Sequence, residues 1–313
     1  MPYLVSGPKL KTMKATHVYS KGKYGWGIFY CLEDCLVFYT IFSVLVREMS
    51  LTVLAFCLMF NHIHALFANI SRITLIRFQM RLFHLFVRDY NEEYRREGGL
   101  FHRPFGRSTK VAMKKIVSCI AYIFNNPVAG NMCSRAVESR WTLLAYHGNA
   151  HPFSARLVKR NCRFRMRNAL KEIDICFNHG KYLNYKTLKR ILRELTVEEK
   201  KQVTDYIIVK YNFLDYKGLE KIFGSWDKSL VVIDATAGAE HELEDEYGDH
   251  SCYLKMLTVA NRNGYRGMNP EALGVAARDR LAKLLRSSVN PPREQLRKFL
   301  HLDPAPWRRR NRA

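Results

Sequence analysis

Two apolar runs separated by only a few residues constrain the fold of this chain most. Residues 51–59 are rich in Val, Phe and Leu, and residues 62–67 form a second run after a short turn. Runs of this length on either side of a short connection are typical of an antiparallel β-hairpin. An isolated hairpin is marginally stable in water, so further elements must pack against it. The sequence therefore predicts a sheet built around residues 51–67.

Helical patterns flank the predicted hairpin on both sides. Residues 33–49 have apolar side chains at helical spacing behind two acidic residues, which suit the positive end of a helix. Residues 74–96 predict an amphipathic helix that Gly98 and Gly99 end. Both helices can cover a sheet.

The remaining segments of the first 150 residues complete an α+β pattern. Residues 1–23 are basic and interrupted by Pro and Gly, which predicts an arm, and residues 26–31 predict a first strand. A basic loop over 103–110 leads into a helix over 111–125 that Pro127 should end. The order strand, helix, two strands, helix, loop, helix indicates helices packed over an antiparallel sheet.

Beyond residue 149 the strand-like runs fade. Residues 151–195 predict a basic linker, and residues 196–313 a mostly α-helical domain that starts with Thr196 as N-cap and Glu199 three residues later. Two short helices around the turn at residues 287–292 resemble a helix-turn-helix DNA-binding unit. A helical cap with a polar face is the alternative, and it stays open.

The charge of the chain indicates a polyanionic partner. There are 51 Lys and Arg against 28 Asp and Glu, a formal net charge of +23, which favours nucleic acid. We find neither an apolar run of about 18 residues nor a signal-peptide segment near Met1. The eight cysteines include no C-x-x-C pair, which favours reduced thiols. We therefore expect a cytoplasmic, nucleoid-associated protein with no membrane partner.

A His-x-His pair lies on the second predicted strand of the hairpin. Side chains alternate between the faces of a strand, so His62 and His64 face one side and Ile63 faces the other. Two imidazoles on one face can bind a divalent cation at about 2.0 to 2.2 Å. Two hydrogen-bonded structural histidines are the alternative, which the pair alone does not exclude.

A tyrosine and an asparagine lie near the end of the helix before Pro127. Tyr122 and Asn126 are four residues apart, so a hydroxyl and an amide oxygen can converge from one helical face. Alternatively, Tyr122 is an interface aromatic and the Asn-Pro pair only stops the helix. Three basic residues precede this segment: Lys110, Lys114 and Lys115.

Taken together and in this order, these segments resemble the HUH (His-hydrophobic-His) single-tyrosine transposases, particularly the REP-associated tyrosine transposases. The stretches concerned are Met59-Phe-Asn61-His62-Ile63-His64, Phe101-His-Arg-Pro-Phe105 and Tyr122-Ile-Phe-Asn-Asn126-Pro-Val128. The resemblance covers about residues 15 to 147 and does not reach the C-terminal half. It implies that residues 1–150 form an HUH catalytic domain with a ferredoxin-like antiparallel sheet flanked by helices.

The resemblance also implies roles for individual residues. His62 and His64 would hold a metal, Mg²⁺ or Mn²⁺, and Asn126 would supply a polar third ligand where some relatives have Gln. Tyr122 would be the nucleophile, forming a 5′-phosphotyrosine link to single-stranded or hairpin DNA. The relatives include monomers and swapped homodimers. Five basic residues are candidate phosphate contacts: Arg103, Arg107, Lys110, Lys114 and Lys115.

The leading hypothesis is thus a transposase, a metal-dependent endonuclease that cuts and rejoins single DNA strands. A non-catalytic DNA-binding regulator derived from a transposase is the alternative. If the chain is a transposase, its C-terminal helices would recognise a specific end sequence. Deleting residues 160–313 should on this hypothesis lower sequence preference and leave nicking intact.

Overall fold

The structure is a computed structural model that describes residues 13–102, 105–237, 250–265 and 269–302. These residues form a mixed α/β protein with one four-stranded sheet and a larger helical part. The strands are β1 (Ala15–Lys21), β2 (Thr52–Leu58), β3 (His62–Ala68) and β4 (Gly106–Lys110). The helices are α1 (Leu32–Glu48), α2 (Arg72–Tyr94), α3 (Met113–Ala129), α4 (Phe164–Asn178), α5 (Tyr185–Leu192), α6 (Val197–Lys210), α7 (Tyr216–Phe223), α8 (Trp226–Ala235), α9 (His250–Arg262), α10 (Val275–Val289) and α11 (Arg293–Phe299).

The sheet has the order β2-β3-β1-β4, and every pair of neighbours is antiparallel. The predicted hairpin is confirmed as β2 and β3, and the predicted helices before and after it are confirmed as α1 and α2. The prediction of an arm is wrong for residues 15–21, which form β1 in the interior of the sheet. Residues 103–110 are likewise not only a loop, because they include the edge strand β4. Both strands depend on pairing with distant partners, which local composition does not reveal.

The two faces of the sheet are covered by different helices. On one face, the ring of Phe42 in α1 contacts Phe56 in β2, and the ring of Phe78 in α2 contacts Phe67 in β3. On the other face, α3 packs against β2 and β3. Because residues alternate along β3, His62 and His64 lie on the face that α3 covers.

The run from residue 26 to 31 is not a strand, contrary to the prediction. The backbone amides of Ile28 and Phe29 both donate to the carbonyl of Phe60, so the segment makes no regular ladder. Ile28 and Phe29 belong to the main core, whereas Tyr30 belongs to a second apolar cluster. The run is apolar because it is buried from two sides.

Pro127 lies inside α3 rather than ending it, which corrects the prediction of a helix over 111–125. A proline removes the amide that would donate to the carbonyl four residues earlier, here Ile123. The side chain of Asn126 compensates, because its Nδ2 atom lies 3.4 Å from that carbonyl and donates to the carbonyl of Tyr122 at 2.9 Å. The helix continues through Ala129.

The described residues beyond 149 form helices and no strand except an isolated bridge between Leu214 and Val53, as predicted. The capping box of Thr196 and Glu199 is confirmed at the start of α6. The segment predicted as a basic linker contains α4 and α5. Their buried residues, such as Ile173 and Leu188, belong to the same core as the sheet. The division into domains stays a prediction, but residues 164–192 are packed rather than extended.

Helices α9 to α11 form the second apolar cluster together with Tyr30 and Phe60. The predicted helix pair around the turn at residues 287–292 is present as α10 and α11. However, Arg297 of α11 is buried and bonded to Glu294 and to backbone carbonyls, so it does not face outward as a DNA-reading residue would. Over the described ranges, no helix is long and apolar enough to cross a membrane.

Candidate active site

One strand, β3, and one helix, α3, bring three predicted site residues of the same chain together. The ring centroids of His62 and His64 are 5.0 Å apart at an interplanar angle of 88°. The ring of Tyr122, from α3, lies 5.6 Å from that of His64. Both histidines are buried, whereas Tyr122 is partly exposed, so a ligand from solvent reaches the tyrosine first.

His64 is held by His17, a residue that was not among the predicted site residues. The Nδ1 atom of His64 lies 2.9 Å from the Nε2 atom of His17 on β1, and the two rings are stacked at 5.1 Å. His17 also makes an edge contact with Tyr122 at 5.8 Å. The sequence signal for this position is the period-two spacing of His17 and Tyr19, which places both side chains on one face if residues 15–21 form a strand.

His17 and His64 are both neutral at physiological pH. Burial, aided by the charge of Lys110, lowers the pKa of His17 to about 4. Burial lowers the pKa of His64 well below its usual range, and the charges of His62, His17 and Lys21 lower it further. A neutral imidazole keeps a nitrogen lone pair available for a metal ion.

His62 is oriented by the residue before it. The Nδ1 atom of His62 lies 2.7 Å from the Oδ1 atom of Asn61. The Nδ2 atom of Asn61 donates to the carbonyl of Gly25 at 3.2 Å, so its Oδ1 atom must accept from His62. This bond places the proton of His62 on Nδ1 and the lone pair on Nε2.

Asn126 is buried beside His64. Its Nδ2 atom is occupied by the backbone of α3, which leaves Oδ1 as the atom able to accept or coordinate. The side chain raises the pKa of His64 by interacting with its protonated form, although no hydrogen bond of ordinary length joins the two residues. Asn126 therefore lies close to His64, and its role as a third metal ligand stays a prediction.

The predicted phosphate contacts divide between the two faces of the sheet. Lys110 lies on the face of His17, because residues 106, 108 and 110 of β4 share one face with residues 15, 17 and 19 of β1. Arg107 is exposed on the opposite face, paired with Val18, so it is not beside the site. Arg103 lies outside the described residues.

The two lysines of α3 are exposed. Lys115 is seven residues and Lys114 eight residues before Tyr122, so Lys115 lies nearer than Lys114 to the helical face of Tyr122. Lys21, which the sequence reading assigned to the arm, is the register partner of His62 on β1. The basic residues that share the face of the site are therefore Lys21, Lys110 and Lys115.

The donor set fits a divalent metal through nitrogen and amide oxygen. The Nε2 atom of His64 is buried and has no hydrogen-bond partner among the residues that the structure describes, which is costly unless a ligand occupies it. No group of three His, Cys, Asp or Glu in the described part of the chain could hold a metal. A metal bound by His62, His64 and Asn126 would thus need oxygen ligands from water and substrate.

Comparison with known proteins adds little to this geometry. No family model and no curated protein matches the chain. The chain is similar to a solved structure of a REP-associated tyrosine transposase bound to a REP hairpin, at 10% identity and a TM-score of 0.35. The similarity covers 47% of this chain and 87% of that chain. At that score it carries no argument about function.

Proposed function

We propose that this protein is a transposase-type enzyme that cuts and rejoins single-stranded DNA, with Tyr122 as the nucleophile and a divalent metal as cofactor. The observation that carries the proposal is the meeting of Tyr122 with His62 and His64. The ring of His64 lies 5.6 Å from that of Tyr122 in α3 and 5.0 Å from that of His62 on the same strand, so His64 joins the tyrosine to the histidine pair. In a purely structural pair, the buried Nε2 atom of His64 should have a hydrogen-bond partner, and it has none among the residues that the structure describes.

The proposal includes a ferredoxin-like fold for the part that carries the site. The order β1-α1-β2-β3-α2-β4 is the order of that fold, which supports the assignment. Helix α3 is then an addition that covers the sheet face opposite to α1 and α2. This addition provides both Tyr122 and Asn126.

His62 and His64 would hold the metal through Nε2, and Asn126 would hold it through Oδ1. Mg²⁺ or Mn²⁺ at this position would polarise a phosphate oxygen and offset the charge that develops on it. The neighbours of the ligands prepare them for this role. Asn61 and His17 each accept the Nδ1 proton of one histidine, which orients both rings and raises their basicity.

The chain's own residues account for a balanced transfer step. The phenol oxygen of Tyr122 attacks phosphorus, and the bond from phosphorus to the 3′ oxygen of the preceding nucleotide breaks. The phenol loses one proton and the departing 3′ oxygen gains one, so the products are a 5′-phosphotyrosine and a 3′-hydroxyl. The phosphodiester energy is conserved, and attack by a 3′-hydroxyl on the phosphotyrosine rejoins the strand without a nucleotide cofactor.

A single strand suits the site better than a duplex. Lys21, Lys110 and Lys115 share the face of the site and can track the phosphates of one strand. Both histidines are buried beneath α3, so the scissile phosphate must approach closely along Tyr122. A hairpin with an unpaired flank meets this requirement because its duplex stem can remain outside.

The test uses hairpin DNA with a single-stranded flank, labelled at either its 5′ or its 3′ end, with Mn²⁺ or Mg²⁺. On denaturing gels, wild type should carry the 3′ label covalently, while the 5′ label should appear in a shorter free strand. This asymmetry distinguishes a 5′-phosphotyrosine from a 3′ link. Tyr122→Phe and addition of EDTA should each abolish the adduct.

Tyr19→Phe is the matched control, because the Tyr19 ring lies 6.2 Å from that of His64 on the same face. This variant should retain the adduct. Loss of the adduct in Tyr19→Phe but not in Tyr122→Phe would reassign the nucleophile. Tight hairpin binding with no adduct under any metal condition would instead favour the non-catalytic regulator.

A further inference from the structure

Residues 22–27 form a turn, here called the 22–27 turn, between the site and the C-terminal helices. Tyr24 and Gly25 have positive φ angles of 57° and 74°, so the backbone bends sharply at this point. Asn61 contacts the turn twice. Its Nδ2 atom donates to the carbonyl of Gly25, and its backbone carbonyl accepts from the amide of Gly22 at 2.7 Å.

The opposite side of the 22–27 turn is bonded to α11 and the residues that follow it. The Nη2 atom of Arg297 donates to the carbonyl of Tyr24 at 3.1 Å. The amide of Gly27 donates to the carbonyl of Lys298 at 3.2 Å, and the carbonyl of Gly27 lies 2.7 Å from the Nε2 atom of His301. The turn is therefore bonded on one side to Asn61 and on the other to the C-terminal helices.

Apolar packing connects the same two regions. Phe60, which precedes Asn61, stacks on Phe299 at 5.9 Å with an interplanar angle of 3°, and on Tyr253 at 5.0 Å. The ring of His301 stacks on Trp26 in the turn at 4.8 Å. Displacing the C-terminal helices would thus move Phe60 and Asn61, the two residues before His62. It would also move the 22–27 turn, which is bonded to Asn61.

We propose that α9 to α11 are a positioning unit for the metal ligand His62, acting through the 22–27 turn and the side chain of Asn61. The unit holds Tyr24 and Gly27 on either side of Gly25. The Gly25 carbonyl then fixes the orientation of the Asn61 amide, and the amide oxygen holds the Nδ1 proton of His62. The C-terminal helices, whose bonds to the turn span 273 and 274 residues in sequence, become part of the metal site. The inference rests on the proposed function only for the statement that His62 binds a metal.

The test measures Mn²⁺ binding to the full chain by the electron paramagnetic resonance signal of free Mn²⁺. Asn61→Ala should weaken binding by about 10-fold or more, because residues that orient metal ligands typically contribute this much. His301→Phe keeps an aromatic ring against Trp26 and removes the bond to Gly27 together with the contact to Glu271. It should weaken Mn²⁺ binding by a few-fold, less than Asn61→Ala does.

The double variant decides the route of the effect. If the C-terminal unit acts through Asn61, then Asn61→Ala with His301→Phe should bind Mn²⁺ no worse than Asn61→Ala alone. If the fold losses in Mn²⁺ affinity of the two single variants multiply in the double variant, the proposal is overturned. It is also overturned if His301→Phe binds Mn²⁺ as tightly as wild type. Tyr146→Phe is the control, because it removes a buried hydrogen bond to Asp205 remote from the turn. It should leave Mn²⁺ binding unchanged.

A second readout separates this inference from the proposed function. Nitrogen-15 spectra of the histidine rings, recorded without metal, should show the Nδ1-protonated tautomer of His62 in wild type. The tautomer should become mixed in Asn61→Ala and partly mixed in His301→Phe. If wild type binds no Mn²⁺, the proposed function fails, while the tautomer in His301→Phe still decides the inference: a shift supports it, and an unchanged ring overturns it.

Discussion

The Nε2 atom of His17 lies 2.9 Å from the Nδ1 atom of His64. This bond joins the interior strand β1 to β3, the strand that carries the proposed metal ligands. For His64 to bind a metal through Nε2, its proton must lie on Nδ1, and His17 must then accept that proton. In the proposed metal site, His17 would therefore be a positioning residue for His64, in the way that Asn61 would be for His62.

We expect His17→Phe to weaken Mn²⁺ binding by about 10-fold, because the Nδ1 proton of His64 loses its acceptor. His17→Gln supplies an amide oxygen in a similar place and should recover part of the affinity. Titration with Mn²⁺ under the conditions used for Asn61→Ala gives the measurement. Equal affinity in wild type and His17→Phe would show that the bond has no role in metal binding.

The division of basic residues between the sheet faces predicts different effects on DNA binding. Lys110→Gln should weaken binding of single-stranded DNA and reduce the slope of log affinity against log salt by about 0.7, the value for one phosphate contact. Arg107→Gln removes the same charge from the same strand but on the opposite face, so it should change neither quantity appreciably. Fluorescence anisotropy over a salt series checks both, and the reverse ranking would contradict the placement of the DNA.

The buried carboxyl of Asp34 makes the free energy of unfolding depend on pH. Burial raises the pKa of this carboxyl from 3.8 to about 6, against the opposing effect of four hydrogen bonds that include Tyr94 and Tyr185. Because the folded-state pKa is the higher one, the unfolded protein releases its proton first as pH rises. The contribution of Asp34 to stability is therefore lost between about pH 4 and pH 6.

The Asp34→Asn variant isolates this contribution, because its side chain does not titrate. The free energy of unfolding of wild type relative to the variant should be about 2 kcal/mol more favourable at pH 4 than at pH 7. Urea denaturation at the two pH values gives the difference. A difference that grows toward pH 7 would mean that the hydrogen bonds outweigh burial and depress the pKa.

The structure alters the expected result of deleting residues 160–313. The hydroxyl of Tyr39 in α1 donates to the carbonyl of Ile208, and the amide of Leu183 donates to the hydroxyl of Thr40. The deletion would expose this side of α1 to water. We expect the shortened chain to lose near-ultraviolet circular dichroism and nicking together. A cooperatively folded fragment that still nicks DNA would restore the original expectation of an independent catalytic domain.

Patterns with a short period were predictable because they depend on local geometry. The alternation along β3 places His62 and His64 on one face whatever surrounds the strand, and helical spacing does the same for Tyr122 and Asn126. The hairpin and the helices α1 and α2 follow from equally local patterns. The end of α3 was not predictable from such a pattern, because the side chain of Asn126 compensates for the amide that Pro127 lacks.

The sequence by itself thus determined which side chains face together within one strand or one helix. Only the tertiary structure decided which elements meet. Residues 15–21 become a strand by pairing with β3 and β4 on either side, and this pairing brings His17 to His64. The C-terminal helices reach Asn61 through a turn that has no local signature. Such contacts depend on the packing of segments distant in sequence, and the free energy of that packing is absent from any short stretch of residues.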